Sequence, residues 1–274
     1  MAKKTAQVDE PKPTLNRVIA EINKKYGENI IGRISDMENV TTERISSGIP
    51  SLDTALGGGL PFKRIVELYG IPSGGKSLMA MRFIKQAQEK GLDCIYIDAE
   101  GSFDIVFAEQ LGVDPKKLVI AQSAVGEDTL ELVCKLLPTE PGVIVVDSVA
   151  AMITQAEMEQ PLEQQFMAPK ARLMSRGLAK INTLNKKTLI IFINQLRSTM
   201  AMYGPPTTTT GGRALGHYAS IRVEVKKGDL IYEEDKKSNP VIGQIVSFYV
   251  TKNKTAPPFR LGSFKFFYDG SRIE

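Results

Sequence analysis

A chain of 274 residues is long enough for one large α/β domain with a substantial core and a small appendage. Hydrophobic residues at 42% and charged residues at 24% are ordinary for a soluble protein, and a net charge of +4 permits an anionic partner without arguing for one. No apolar run is long enough to span a bilayer, so no membrane partner is expected. The polar N-terminus, with Lys3 and Lys4, does not read as a secretory signal. Cys94 and Cys134 lack metal-ligand spacing and read as two buried thiols in a reducing cytosol, so a cytoplasmic location is expected.

Residues 1–13 are polar and carry Pro11 and Pro13, which reads as a loose arm. Leu15, Val18, Ile19 and Ile22 are spaced for a short amphipathic helix over 14–26. A free helix of this length is marginal, so it needs its own domain or a neighbouring subunit to pack on. A polar link follows, which divides the chain into an arm, 1–44, and a core, 45–274. In the core, strand patterns at 64–69, 93–98, 117–121, 143–147 and 188–194 alternate with helical runs at 76–90, 104–111, 127–137 and 170–186. Apolar strand runs such as Val143–Val146 argue for an α/β fold with a mostly parallel sheet covered by helices on both faces. After residue 218 come three strand-like segments, 219–227, 242–251 and 262–268, expected as an antiparallel extension, with 228–240 as a hairpin loop.

Gly70-Ile71-Pro72-Ser73-Gly74-Gly75-Lys76-Ser77 lies between the first core strand and its helix. Two glycines four apart, then Lys and a hydroxyl, form a phosphate-binding loop in which successive N–H groups and a helix N-terminus face one anion. Lys76 reaches the β- and γ-phosphates of ATP, and the Ser77 hydroxyl ligates Mg²⁺. Asp147, at the end of an apolar strand, holds the same Mg²⁺ through water. Glu100 lies just past another strand, where a carboxylate can polarise the attacking water; taken alone, a solvated loop acid is an equal reading. Leu189–Gln195 ends in two amides, and the neutral Gln195 can feel a γ-phosphate and then open a long irregular segment. Four strand ends thus bring polar residues to one sheet edge, where open parallel sheets bind ligands.

Together with Ser51–Pro61, Asp98-Ala99-Glu100, Val145–Ala151, Phe192–Gln195, Thr208–Gly212 and Lys252-Asn253-Lys254, these segments resemble the bacterial RecA recombinase family over roughly residues 14–274. The resemblance implies a RecA-like ATPase core and a DNA-dependent ATPase that forms helical filaments on single-stranded DNA. Such a filament exchanges strands with homologous duplex DNA and acts as co-protease on a LexA-type repressor in the SOS response. It makes Glu100 the catalytic carboxylate and Gln195 the γ-phosphate sensor, and it places Asp104 and Tyr268 beside the adenine, with Phe107 where the family commonly has Tyr. It sends Lys252 and Lys254 across a subunit interface to a neighbour's γ-phosphate, and it makes the 14–26 helix a polymerisation arm. Two rivals stay open: a ring-forming DNA motor, and a filament scaffold that coats DNA without exchanging strands.

Two aperiodic segments, about 155–169 and 196–212, correspond to the family's DNA-binding loops. Arg172, Arg176 and Lys180 form a basic stripe after the first, either a solvated face or a phosphate track. Arg197, Arg213 and the amides of Gly211 and Gly212 suit phosphate. Met167, Met200, Met202 and Tyr203 either pack against bases or anchor the loops. The second loop is one residue short of the family pattern, with Pro205-Pro206 at its tip, and the first carries Pro161 and Gln164-Gln165 where smaller residues are expected. His217 falls where the family carries an aromatic residue. The chain stops at Glu274, so the family's small C-terminal domain is expected to be missing. The expectation is a minimal recombinase, phage-borne, truncated or designed, with weakened duplex capture.

Overall fold

The computed structural model describes residues 14–27, 30–33, 43–159, 169–198, 207–270 and 272–274. The chain divides into two units, 1–42 and 43–274. In the first, α1 (Leu15–Tyr26) has Lys24 and Lys25 in its last turn, where cations complement the helix dipole, and none of its residues is buried. The Asn23 carboxamide accepts the N–H groups of Ile30 and Ile31 and donates to the Ile31 carbonyl, which folds the following turn back onto the helix.

The second unit opens with a small hairpin-like pair, β1 (Arg44–Ile45) and β2 (Leu60–Pro61), around α2 (Pro50–Leu56). The Asp53 carboxylate organises this entry by accepting from Ser46 Oγ, Ser47 N and Ser47 Oγ. The alternating core follows: β3 (Ile65–Gly70), α3 (Lys76–Glu89), β4 (Cys94–Asp98), α4 (Ile105–Gln110), β5 (Leu118–Gln122), α5 (Gly126–Leu136) and β6 (Val143–Asp147). After it come α6 (Gln155–Met158), α7 (Pro169–Leu184), β7 (Leu189–Ser198), β8 (Thr207–Thr209), α8 (Ala214–Tyr218), β9 (Ile221–Tyr232), β10 (Val241–Asn253) and β11 (Leu261–Phe267).

The main sheet runs β11-β10-β9-β3-β7-β6-β4-β5. From β9 to β5 every neighbouring pair is parallel, and β10 and β11 are antiparallel. The mostly parallel α/β sheet with antiparallel C-terminal strands is therefore the expected one, with one correction. The first of the three late strands, β9, pairs parallel with β3, because the chain between β7 and β9 carries α8 and crosses back to the start of the sheet. The expected loop 228–240 is also shorter, since β9 continues to Tyr232 before the turn to Val241. The irregular segment 196–212 starts and ends regularly: Leu196–Ser198 pair antiparallel with Thr207–Thr209, so Thr residues of high β propensity form a stem.

Side chains alternate between the two faces. Val66, Leu68, Ile191 and Ile193 pack with Leu78, Met79 and Phe83 of α3 on one face. Ile65, Ile190 and Phe192 pack with Leu130, Met174 and Leu178 of α5 and α7 on the other. Cys94 and Cys134 are free and buried, and burial pushes the Cys94 thiol up to about 12 and the Cys134 thiol upward. Phe192 has no exposed surface. Phe192→Ala is expected to cost about 3–5 kcal/mol of unfolding free energy, seen in urea titration as a lower midpoint at unchanged slope.

Candidate nucleotide site

The sheet register sets out the site. Gly70 of β3 is level with Gln195 of β7, and Asp98 of β4 with Asp147 of β6, so four functional strand ends meet at one edge. Between β3 and α3 the chain turns through Ile71, Pro72, Ser73, Gly74 and Gly75. Gly75 has φ +97°, a left-handed conformation that favours glycine, and it starts α3. A Cβ on Gly70 would lie 2.0 Å from the Val225 carbonyl oxygen, so only glycine lets this loop rest on β9.

Lys76 is buried, and its ammonium donates to the Gly70 and Ile71 carbonyls at 3.3 and 2.6 Å. Burial lowers its pKa, while the charges of Asp147 and Glu100 oppose the shift. Ser77 Oγ donates to Asp147 Oδ2 at 2.7 Å, and the buried Tyr96 hydroxyl donates to the same oxygen at 2.5 Å. Burial raises the Asp147 pKa; the Tyr96 and Ser77 hydrogen bonds oppose this, Glu100 adds to it and Lys76 counters it. Tyr96 is a donor that the sequence did not single out, being one apolar-looking residue within a strand.

Glu100 is held from both sides. Ser148 Oγ donates to its Oε1 at 2.5 Å and Gln195 Nε2 to the same atom at 2.9 Å. Its loop is built by Asp98, whose two oxygens accept the N–H groups of Glu100, Gly101, Ser102 and Phe103 at 2.8 to 3.3 Å. The main chain of Ala99 is also tied to the Asp147 carbonyl at 2.6 Å. Glu100 and Gln195 thus touch each other, and the Glu100 charge acts on Lys76.

Beside the phosphate loop, a pocket of about 220 Å³ is lined by residues 73–78 with Phe107, Gln244 and Phe266. Phe107 meets Phe266 edge-on at 6.1 Å between centroids, and Tyr268 meets Phe266 at 5.9 Å. Phe107 borders the pocket directly, whereas Tyr268 does not line it and approaches it through its hydroxyl, 3.5 Å from Gln244 Oε1. Asp104 caps α4, with Oδ1 accepting the N–H groups of Val106 and Phe107 at 2.8 and 3.1 Å, which positions Phe107. Gln244 and Phe266 escaped the sequence reading because nothing in an amphipathic strand marks which residues face a ligand.

Lys252 and Lys254 lie elsewhere. On β10, Lys252 is level with Arg222 of β9 and so with Glu67 of β3, three residues back from Gly70. Its ammonium donates to the Gly216 and His217 carbonyls at 2.8 and 3.0 Å, and burial lowers its pKa, helped by Lys254 and Arg222. His217 stacks edge-on against Tyr218 at 5.7 Å. Arg197 is exposed on the β7–β8 stem, Arg213 is exposed before α8, and Gly211 and Gly212 have φ +84° and +78°. Met167, Met200, Met202 and Tyr203 lie outside the described residues. Arg172, Arg176 and Lys180 line a groove of about 620 Å³ between α5 and α7 that also holds Glu127 and Glu131. The stripe therefore runs away from the loop edge and shares its groove with acids, since α7 descends antiparallel to the strands.

These residues fit a triphosphate carrying a divalent cation: N–H groups and an ammonium for the anion, and a hydroxyl beside a carboxylate for the cation. Among the described residues no cluster of three His, Cys, Asp or Glu side chains could hold a metal unaided, so phosphate oxygens would complete the shell. Burial raises the Asp147 pKa, so its ionised form costs stability that is regained as pH falls. Asp147→Asn is accordingly expected to leave the melting temperature equal or higher at neutral pH. The same change should weaken Mg²⁺-dependent nucleotide affinity about tenfold or more, checked by thermal melts and nucleotide titration with and without Mg²⁺.

A family model described as the RecA N-terminal domain matches residues 13–272. The chain is 44% identical over 255 residues to Protein RecA of Fusobacterium nucleatum subsp. nucleatum, across 91% of this chain and 66% of that protein. It is 41% identical over 271 residues to Protein RecA of Haemophilus ducreyi, across 96% and 72% of the two chains. The chain thus spans about two thirds to three quarters of the length of these relatives. The crystal structure of the RadB recombinase matches with a TM-score of 0.63 and 18% identity over 84% of this chain and 98% of that one, a likeness of fold. With the phosphate loop, the strand-end carboxylates and the amide in register on that fold, this chain belongs to the RecA family.

Proposed function

We propose that this protein is a DNA-dependent ATPase of homologous recombination and repair, which assembles on single-stranded DNA and exchanges strands with a homologous duplex. The observation that carries the reading is the Gln195 Nε2 bond to Glu100, because Gln195 stands one residue before the β7–β8 stem. A group positioned to meet the γ-phosphate is therefore continuous with the second loop. ATP, when bound with Mg²⁺, supplies the phosphoryl group and the charge that Lys76, Ser77 and Asp147 are placed to hold. Glu100 accepts a proton from water, and Gln195 reports which phosphate state is present. Phe107 bounds the base pocket, with Asp104 and Tyr268 supporting it.

Arg197, Arg213, Gly211 and Gly212 lie on the stem and exit of the second loop, where they suit phosphate contacts without sequence readout; Met167, Met200, Met202 and Tyr203 would meet the bases. Lys252 is level with Glu67, back from the phosphate-loop end of β3, and its ammonium is engaged on α8 carbonyls, which favours completion of a neighbour's site and ATP-dependent filaments. The unburied α1 suits docking on the next copy. Action on a LexA-type repressor and a cytoplasmic location belong to the same reading.

Strand exchange between a circular single strand and a homologous linear duplex tests it. Joint molecules are expected with ATP and with a non-hydrolysable analogue, and none with Lys76→Ala. DNA coating without joint molecules would reduce the protein to a scaffold, and rings in electron micrographs would favour a motor. Glu100→Gln and Lys252→Ala/Lys254→Ala proteins are each expected to lack DNA-stimulated hydrolysis. Mixed equally, they should regain about a quarter of parental activity, the fraction of interfaces with both halves intact. No recovery on mixing would place both lysines in cis.

A further inference from the structure

Glu67 of β3 is fully buried, three residues before the phosphate loop, in a strand of otherwise apolar or aromatic residues. Its carboxylate is divided between two partners: Oε1 accepts from Asn194 Nδ2 at 2.9 Å, and Oε2 from Arg222 Nε at 2.6 Å. Asn194 is also fully buried. Its Nδ2 donates as well to the Thr210 carbonyl at 3.0 Å, and its Oδ1 accepts the Gln195 N–H at 2.9 Å. An amide with donors on two acceptors and its oxygen on a donor has one satisfied orientation; flipped, it would set an oxygen against a carboxylate.

Arg222 extends the chain of contacts. Its guanidinium lies 4.6 Å from the Tyr69 ring centroid and against Gly216, where an added Cβ would sit 3.3 Å from Cζ. The Gly216 carbonyl is one of the two that hold Lys252. A cavity of about 430 Å³ separates Arg222 and Tyr69 from the Thr207–Thr209 strand, which leaves room for the stem to repack. Thr210 Oγ1 is buried without a hydrogen-bond partner, so the loop exit is not fully committed to this arrangement.

We propose that Glu67 is a positioning residue that couples the nucleotide pocket to the exit of the second loop and to α8. Its charge fixes the Asn194 amide, which holds the Thr210 carbonyl beside Gln195, and pairs with Arg222, which braces α8, whose carbonyls hold the Lys252 ammonium. The inference rests on the ATPase reading above, and coupling here means that one buried carboxylate biases two elements, not that a signal passes along a wire. A purely structural ion pair is the rival. It predicts lost stability when one partner is removed and recovery when both are neutralised.

The test compares the parent with Glu67→Gln and with Glu67→Gln/Arg222→Gln, a double variant that keeps shape and removes both charges. Hydrogen exchange at residues 207–212 is measured with and without a non-hydrolysable ATP analogue, alongside thermal melts, nucleotide affinity and DNA-free ATPase. Bound analogue is expected to slow exchange there in the parent. In the double variant it should lose about tenfold of that protection, with nucleotide affinity and DNA-free turnover within about twofold of the parent. Protection retained in the folded double variant overturns the proposal. So does failure of both variants to fold, which assigns the pair to stability alone. A parent that fails to hydrolyse ATP at all is the separate signature of a wrong functional reading, visible before any variant is made.

Discussion

Parallel pairing in register is the constraint on which the site depends. Hydrogen bonds level Gly70 with Gln195 and Asp98 with Asp147, and the phosphate loop and the Glu100 loop follow directly from two of these aligned strands. Slipping one strand by a residue would exchange the side chains packed on its two helix-covered faces, so the packing of Val66, Val145 and Ile191 on one face and Ile65, Val146 and Phe192 on the other protects the alignment of the polar tips. Core packing and site geometry are the same fact seen from two ends of each strand.

The charges at this edge carry a cost that the fold offsets with donors. Asp147 is desolvated, yet Ser77 and Tyr96 both donate to one of its oxygens. Lys76 is also desolvated and lies against two loop carbonyls, with the charges of Asp147 and Glu100 opposing the fall in its pKa. The Tyr96 hydroxyl and the Gly70 and Ile71 carbonyls therefore satisfy charged groups that the fold has desolvated. The same pattern recurs one layer down at Glu67, where a buried carboxylate is matched by an amide and a guanidinium.

Much of this was legible in the residues. The phosphate loop, Asp147, Glu100 and Gln195 announce themselves because each is a polar break after an apolar strand, and strand ends can be located from hydrophobic runs alone. The direct bond between Glu100 and Gln195 was not legible, since 95 residues separate them and only the sheet order brings their strands together. Tyr96, Gln244 and Phe266 were hidden for a different reason: within a strand, alternation says which face a residue takes but not what lies opposite. The parallel pairing of β9 was missed because an unbroken run of late strands resembles a meander, and the short α8 that permits the crossover has only five residues. Arg172, Arg176 and Lys180 were correctly seen as one stripe, but helical spacing cannot reveal that the facing helix contributes Glu127 and Glu131.

The two cysteines bear on how the molecule can be studied. Neither thiol is exposed, and burial raises the pKa of both, that of Cys94 to about 12. Maleimide and iodoacetamide dyes should therefore ignore the native chain. A single thiol engineered into the Thr207–Thr209 strand would be the sole attachment point for a fluorophore, making the loop stem visible in solution against a silent background.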